Sequence, residues 1–242
     1  MNQLTTLFSN MKKFYIIFES SEIKEIGFFP QVYDAIVDFN IYDKNSAYHL
    51  NFSKANQNTL WPISKLSGKA KKTDLISHSF MGLSNKLIVS IKLYTIFSVM
   101  KTEGIQFIKS TLVLRKDKEE DYWIANPFLS EYTLLDIANC EFIYTDAMGK
   151  DEMGKIKFDS SISFIQAYLQ NQKDAVSIGY PNHKPLIIKQ IAFKNESNCD
   201  FFSVDGVRYG GIGFFVSQKL KDQIEAAGCT GIIFTDPNEK YP

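Results

Sequence analysis

The sequence predicts an α+β fold with a mixed or mostly antiparallel sheet and a few helices. Three observations lead to this prediction. Short strand-like segments follow one another closely enough to form hairpins, and helical segments appear without the regular alternation of a doubly wound protein. A helix-turn-strand pattern at 214–234 also recurs at 87–107. With 45% hydrophobic and 22% charged residues in a chain of 242, we expect a globular protein with a sizeable core.

The elements in the first half of the chain follow from local composition. Residues 13–18 are dense in Phe, Tyr and Ile and predict a buried strand, whereas residues 32–37 place three aliphatic side chains at the spacing of a short helix. Residues 40–60 are rich in Asn, Ser and Lys, which favours loop or edge structure. Residues 108–116 and 121–128 predict two strands around the charged turn KDKEED.

One further helix is predicted at 159–170. Asp159 precedes the apolar periodicity and is therefore the expected N-cap. The residues expected to face the core are Ile162, Ile165 and Leu169.

The expected domain organisation is simple. Residues 1–10 read as a flexible tail, because the first predicted strand begins after them. Residues 11–242 are expected to form a single α+β domain, and a small N-terminal subdomain at about 11–60 is an open alternative.

The recurring pattern is an internal echo without gaps. When 87–107 is laid on 214–234 at an offset of 127, seven of 21 positions are identical. The identical pairs in the helical part are Val89 with Val216, Ser90 with Ser217, Lys92 with Lys219 and Leu93 with Leu220. The three remaining pairs are Gly104 with Gly231, Ile105 with Ile232 and Phe107 with Phe234.

Each copy carries the signals of a capped helix that leads into a strand. Ser217 is the expected N-cap of the second copy, and Ser90 is its counterpart in the first. The apolar residues of the second helix share one face: Leu220, Ile224 and Ala227. Gly228 is placed to end this helix, and Gly231 to turn the chain into the strand. The echo therefore predicts one structural unit used twice.

Charge and cysteine content exclude several classes of protein. The 27 acidic and 27 basic side chains balance, whereas a dedicated nucleic-acid binder shows a basic excess, so we expect no nucleic-acid partner. No apolar run approaches the ~20 residues of a membrane span, and the five apolar residues after Lys13 are too few for a signal peptide. Three widely spaced cysteines suit a reducing compartment. We therefore expect a cytoplasmic protein without a membrane partner.

The best candidate for an enzyme site is the glycine-rich segment 208–213. Gly211 and Gly213 supply G-x-G, but Val216 stands where a dinucleotide-binding loop needs a third glycine, so a tight turn or bulge leading into a strand is the favoured interpretation. No pair at metal-ligand spacing is formed by the histidines His49, His78 and His183. We therefore predict no catalytic, cofactor-binding or metal-binding residues and no cofactor. An enzyme with a nonstandard loop-built site near 208–213 remains the alternative.

Two segments carry a resemblance to a known family. Near the C-terminus a V-S-x-x-L-K helix is followed by a G-hydrophobic-x-F strand, in Val216, Ser217, Leu220, Lys221, Gly231, Ile232 and Phe234. Upstream, YWIANPFLSEYTLLDIANCEF contains Tyr122, Asn126 and Asp136. Together with the start MKKFYII, these segments resemble bacterial immunity proteins of polymorphic-toxin systems, over about 60–145 and 200–236.

The resemblance implies a non-enzymatic cytoplasmic protein that neutralises a cognate toxin by stoichiometric binding. It brings no catalytic residues to this sequence. A toxin that acts on nucleic acid tends to be basic, so an acidic patch would attract it. The possible toxin contacts are therefore the residues at the tip of the predicted hairpin: Asp117, Glu119, Glu120 and Asp121. A general protein-interaction module is the other open alternative, and the oligomeric state is not predicted.

Overall fold

The protein contains two mixed β-sheets and four α-helices within the residues that the computed structural model describes, which are 12–115, 118–207 and 211–239. The predicted α+β class is confirmed.

The predicted tail, residues 1–10, lies outside the described residues.

The strands and helices follow one another irregularly along the chain. The strands are β1 Phe14–Glu19, β2 Val32–Ile36, β3 Ile63–Leu66, β4 Leu75–Ile76, β5 Leu87–Ser90, β6 Ile105–Val113, β7 Glu119–Pro127, β8 Glu141–Thr145, β9 Glu152–Ile156, β10 Leu186–Gln190, β11 Phe201–Val207, β12 Gly211–Ser217 and β13 Ile232–Thr235. The α-helices are α1 Ile23–Ile26, α2 Ile91–Ser98, α3 Ser161–Ile178 and α4 Gln218–Ala226.

The strands form one sheet of seven and one of six. The seven-stranded sheet has the order β13-β1-β12-β11-β10-β8-β9, and the six-stranded sheet the order β2-β3-β6-β7-β5-β4. Most neighbours are antiparallel, but β10 runs parallel to β11 and β3 runs parallel to β6. Both sheets are therefore mixed, as expected.

The internal echo is a strand-helix-strand unit that occurs once in each sheet. In the first unit β5, α2 and β6 enclose the antiparallel strand β7; in the second, β12, α4 and β13 enclose β1. Strand registers also correspond: Val89 pairs with Trp123 and Phe107 with Ala125, as Val216 pairs with Tyr15 and Phe234 with Ile17. The central strand of the second unit thus comes from the opposite end of the chain.

Both predicted serine caps are present and share one arrangement. Ser90 Oγ accepts a hydrogen bond from the amide three residues later and donates to Asp74 Oδ1 at 2.6 Å. Ser217 Oγ likewise accepts from the amide of Leu220, three residues later, and donates to Asp200 Oδ1 at 2.7 Å. Each cap satisfies a helix amide that would otherwise lack a partner, a contribution of about 1 kcal/mol.

The loop that follows each helix is held by a strand of the opposite sheet. The carbonyl of Thr230, after α4, accepts from the amides of Asp74 and Leu75 at the start of β4, and the carbonyl of Lys101, after α2, accepts from those of Asp200 and Phe201 at the start of β11. Helices α2 and α4 also pack against each other, with Leu93, Phe97, Leu220 and Ile224 in one buried cluster. One of the three buried apolar clusters therefore joins the two sheets.

The predicted inward face of α4 is correct at two of three positions. Leu220 and Ile224 are buried, whereas Ala227 is exposed. The helix ends at Ala226, so Ala227 belongs to the cap rather than to the packed face.

Two further sequence-based expectations, about a segment's secondary structure and a helix cap, are wrong. Residues 32–36 form the edge strand β2 rather than a helix, because they pair with β3, and such pairing outweighs a weak helical periodicity. Helix α3 is capped by Ser160, not Asp159, through a capping box with Ser163. Its buried residues are Phe164 and Tyr168.

Strand β1 lies between β12 and β13 in the seven-stranded sheet, so the first described strand pairs with the last two. In the region of the proposed N-terminal subdomain, β2 instead joins the six-stranded sheet.

The glycines that end α4 should differ sharply in their tolerance of a side chain. Gly228 has φ +61° and open space around it, so Gly228→Ala should cost about 1 kcal/mol through backbone strain alone. Gly231 has φ +77°, and an added Cβ would collide with the Leu75 carbonyl oxygen and lie 2.6 Å from Thr73 Cβ. Gly231→Ala should therefore cost about 3 kcal/mol or more. Urea unfolding of both variants measures this; equal losses would contradict the described joint.

Candidate functional site

Three of the four predicted toxin-contact residues lie on strand β7: Glu119, Glu120 and Asp121. Asp117 lies outside the described residues, and Glu119 is exposed at the start of β7. Glu120 Oε2 lies 2.6 Å from Lys72 Nζ, and this hydrogen bond lowers the pKa of the Glu120 carboxyl. Asp121 Oδ2 lies 2.8 Å from Lys109 Nζ. Lysines thus offset two of the carboxylates, and a role of this tip in toxin contact stays a prediction.

The glycine-rich segment is only partly described. Residues 208–210 lie outside the described residues, so the alternative enzyme site near 208–213 also stays a prediction. Gly211 and Gly213 belong to strand β12, whose register against β11 shifts between Val204 and Val207. The expected irregularity at the entry to a strand is present.

The histidines and cysteines do not converge. None of the described residues belongs to a group of three or more His, Cys, Asp or Glu side chains that could hold a metal ion. His78 Nε2 lies 2.9 Å from the carbonyl oxygen of Lys86. Burial raises the pKa of the Cys140 and Cys199 thiols to about 11, so both are protonated at neutral pH and are poor nucleophiles.

A cleft of about 670 Å³ lies where elements from both sheets meet. One wall consists of residues 51–52 and 128–133. Residues 51–52 lie between β2 and β3 of the six-stranded sheet, and residues 128–133 follow β7 of the same sheet. The other wall is helix α3, and the end of strand β11 contributes Asp205. Clefts of this size are the usual location of binding sites.

Two acidic residues lie on neighbouring chain segments in the cleft. The amide of Glu131 donates to the Ser203 carbonyl at 2.8 Å, and the amide of Asp205 donates to Ser130 Oγ at 2.9 Å, so these segments run side by side. Burial raises the pKa of both the Glu131 and the Asp205 carboxyl. Neither carboxylate has a Lys, Arg or His partner within 4.0 Å in the described part of the chain.

Tyr168 supports the acidic floor of the cleft from below. Its ring is 2% exposed, and its buried hydroxyl approaches the Asp205 carboxyl without a hydrogen bond of good geometry. Gly206 has φ +73°, and a Cβ there would lie 2.6 Å from a carbon of the Tyr168 ring. Only glycine therefore lets Tyr168 pack this closely beside Asp205.

The rim of the cleft exposes aliphatic side chains. Leu129 is 50% exposed on one wall, and Leu169 is 53% exposed on the other. Ile162 and Val176 continue the exposed row at intervals of seven residues along α3, with exposures of 67% and 89%. The sequence-based prediction that Ile162 and Leu169 face the core is therefore wrong: this helix has an apolar stripe on its outer surface.

The rim also carries an unusual backbone. Phe52 (φ 46°) and Asn85 (φ 61°) are the non-glycine residues with positive φ in the described ranges, and both line the cleft. A bulky residue such as Phe52 adopts this conformation only at an energetic cost, and such strain concentrates at functional sites. The buried Lys86 ammonium joins the two loops by donating to the carbonyls of Leu50 at 3.3 Å and Ser84 at 3.2 Å.

A second cavity of about 260 Å³ adjoins the cleft at Asn85. It contains Glu19, His78 and Lys86; Glu19 Oε1 lies 4.0 Å from His78 Nε2. Burial raises the pKa of the Glu19 carboxyl and lowers that of the Lys86 ammonium to about 8. This cavity is smaller than the cleft, and its ionisable side chains come from both sheets.

Comparisons with known proteins add no assignment. A scan against models of protein families found no match, and a search of curated proteins found no significant one. In the described ranges, no helix combines the length and the apolar character needed to cross a membrane.

The half-buried Asp205 carboxyl in the cleft should make the stability of the fold depend on pH in a defined direction. Because its folded-state pKa is raised, the Asp205 carboxylate destabilises the fold at neutral pH, and this cost disappears as the pH falls through the raised pKa toward the ordinary value. Asp205→Asn should therefore raise Tm at pH 7, and the gain should vanish near pH 3.

Glu120→Gln is the control of opposite sign. The pKa of Glu120 is lowered, so its carboxylate favours the fold at neutral pH and the variant should gain nothing there. Thermal unfolding followed by circular dichroism measures both variants. A gain for Asp205→Asn that persists unchanged at low pH would contradict burial of the charge as its cause.

Proposed function

We propose that this protein is a cytoplasmic immunity protein, which neutralises a cognate bacterial toxin by stoichiometric binding at the cleft. The toxin would bind non-covalently and would not be chemically changed. Inhibition would therefore last as long as the complex. The family resemblance supplies the class of partner, and the cleft supplies the surface.

The observation that carries the proposal is the exposed apolar rim around a polar floor. Leu129, Leu169 and Ile162 would lose water-accessible apolar surface on contact with a partner, whereas Glu131 and Asp205 lie deeper. An apolar centre with a few placed polar groups is the usual anatomy of a protein interface. The exposed aliphatic row of α3 runs from Ile162 to Val176, so it could contribute to a contact much longer than the cleft.

A second support comes from the position of the family-like segment. The quoted stretch from Tyr122 onward includes 128–133, which forms one wall of the cleft. Within it, Asn126 Nδ2 donates to the carbonyl of Ser53 at 3.0 Å and so holds the loop next to Phe52. The residues of the resemblance thus build the site that we assign to the toxin.

Occlusion is the simplest mechanism for such a surface. A specific complex of ordinary size buries about 1,200–2,000 Å² in total, which is far more than the cleft alone offers. Helix α3 and the loops of the rim would therefore both be covered. A toxin bound in this way loses access to its substrate if its active site faces the cleft.

Co-expression tests the proposal directly. The toxic domain encoded by the neighbouring gene is expressed with and without this protein, and growth and co-purification are recorded. We expect restored growth and a complex of fixed stoichiometry. Continued toxicity together with no complex would contradict the proposed function.

A charge placed on the rim should weaken the complex. Leu169 lies on the rim of the cleft, which would be the centre of the proposed interface with the toxin. Leu169→Glu places a carboxylate there, and we expect the affinity for the toxin to fall by at least about 30-fold. Ile23→Glu is the matched control, because Ile23 is similarly exposed at 56% but does not line the cleft. Calorimetric titration with the toxic domain measures both, and an equal effect of the two variants would place the interface elsewhere.

A further inference from the structure

The floor of the cleft carries negative charge without a described counter-charge. Glu131 is 9% exposed, and no cationic group of the described residues approaches its carboxylate or that of Asp205 within 4.0 Å. Two lysines contact the cleft walls: Lys54 Nζ lies 4.5 Å from the centre of the Phe128 ring, and Lys194 Nζ donates to the carbonyl of Thr133 at 2.8 Å. These contacts are with a ring and a backbone carbonyl and not with either carboxylate.

Buried carboxylates of this kind gain from a cation that enters the cleft. Burial of an uncompensated charge is unfavourable, and a pairing cation removes much of that cost. The raised pKa of each carboxyl agrees with charges that burial disfavours. The Tyr168 hydroxyl provides a further buried group beside Asp205 that lacks a well-formed hydrogen bond.

The walls indicate the form in which the cation arrives. Leu129 and Leu169 stand exposed on opposite sides of the acidic floor, and Ile162 extends the apolar row away from it. A free small cation would leave this rim uncovered, whereas a polypeptide covers it while one of its side chains reaches the floor. Phe52 also lines the cleft, and a planar cation stacks well on an aromatic ring.

We propose that the toxin inserts an arginine side chain into the cleft, where its guanidinium pairs with Glu131 and Asp205. This inference rests on the proposed function and names the chemistry of the contact. Guanidinium carries five N–H donors in a plane, so it can serve two carboxylates on neighbouring segments and remain charged at any physiological pH. Lysine offers a single compact charge and suits the arrangement less well.

Short peptides test the proposal without the toxin. The probes are the acetylated, amidated tripeptides Leu-Arg-Leu and Leu-citrulline-Leu, which differ by one charge at nearly constant shape, and agmatine as a free guanidinium. Binding to the ¹⁵N-labelled full chain is followed by NMR, with the amides of Gly206 and Leu169 as reporters. We expect the arginine peptide to bind at least about tenfold more tightly than the citrulline peptide and than agmatine.

Substitutions locate the preference. Glu131→Gln and Asp205→Asn, singly and together, keep the shape of each side chain and should abolish the preference for arginine. Glu225→Gln, at an exposed position of α4 that does not line the cleft, should retain it. Circular dichroism verifies that each variant is folded. The single variants decide the matter if the double variant does not fold.

Several results would overturn the proposal. These are equal affinities of the arginine and citrulline peptides, an arginine preference that survives Glu131→Gln and Asp205→Asn, and agmatine binding as tight as that of the arginine peptide. Arg208 lies outside the described residues, so Arg208→Ala is titrated as well; a preference seen only in that variant would mean that the chain supplies the cation itself.

The toxin complex separates this inference from the proposed function. A complex whose affinity is unchanged by Glu131→Gln and Asp205→Asn would overturn the arginine contact while neutralisation by binding stands. Failure of the unaltered protein to form any complex would overturn the proposed function itself.

Discussion

The reciprocal contact between the two strand-helix-strand units is the constraint on which the rest of the structure depends. The serine that caps each helix donates to an aspartate in a neighbouring strand segment, Asp74 before β4 or Asp200 before β11. The backbone amide of that aspartate donates to the loop that follows the helix of the other unit. Leu93 and Leu220 pack in the same buried cluster where the two helices meet. The position of one sheet is therefore fixed relative to the other by backbone hydrogen bonds as well as by a shared apolar core.

The cleft joins the two sheets at a second place. Its first wall follows β7 of the six-stranded sheet, and the ring of Tyr132 in this wall contacts the rings of Phe164 and Tyr168 on α3, the second wall. The units correspond closely in the joint but differ outside it, because β11 continues into β10, β8 and β9 whereas β4 is an edge strand. Helix α3 belongs to the extended side alone. The proposed binding surface thus includes α3, a helix that has no counterpart in the other unit.

The sequence predicted the features that depend on short-range chemistry. Ser90, Ser217, Gly228 and Gly231 could be identified because caps and left-handed turns restrict residue type at a single position. The face of α3 could not, because Ile162 and Leu169 satisfy the same periodicity whether they face a core or a partner. The acidic pair of the cleft was also missed, since residues 131 and 205 are far apart in the chain and approach only through the pairing of segments around Ser130 and Ser203.

Hydrogen exchange of the complex tests most directly whether the toxin binds at the cleft, as we propose. Mass spectrometry compares the free protein with the protein bound to the toxic domain, peptide by peptide. We expect slower exchange on binding in residues 128–133 and at the surrounding loop 51–53, together with protection along α3 at 162–172. Protection confined to other surfaces, such as the β6–β7 hairpin, with these segments unchanged, would contradict it.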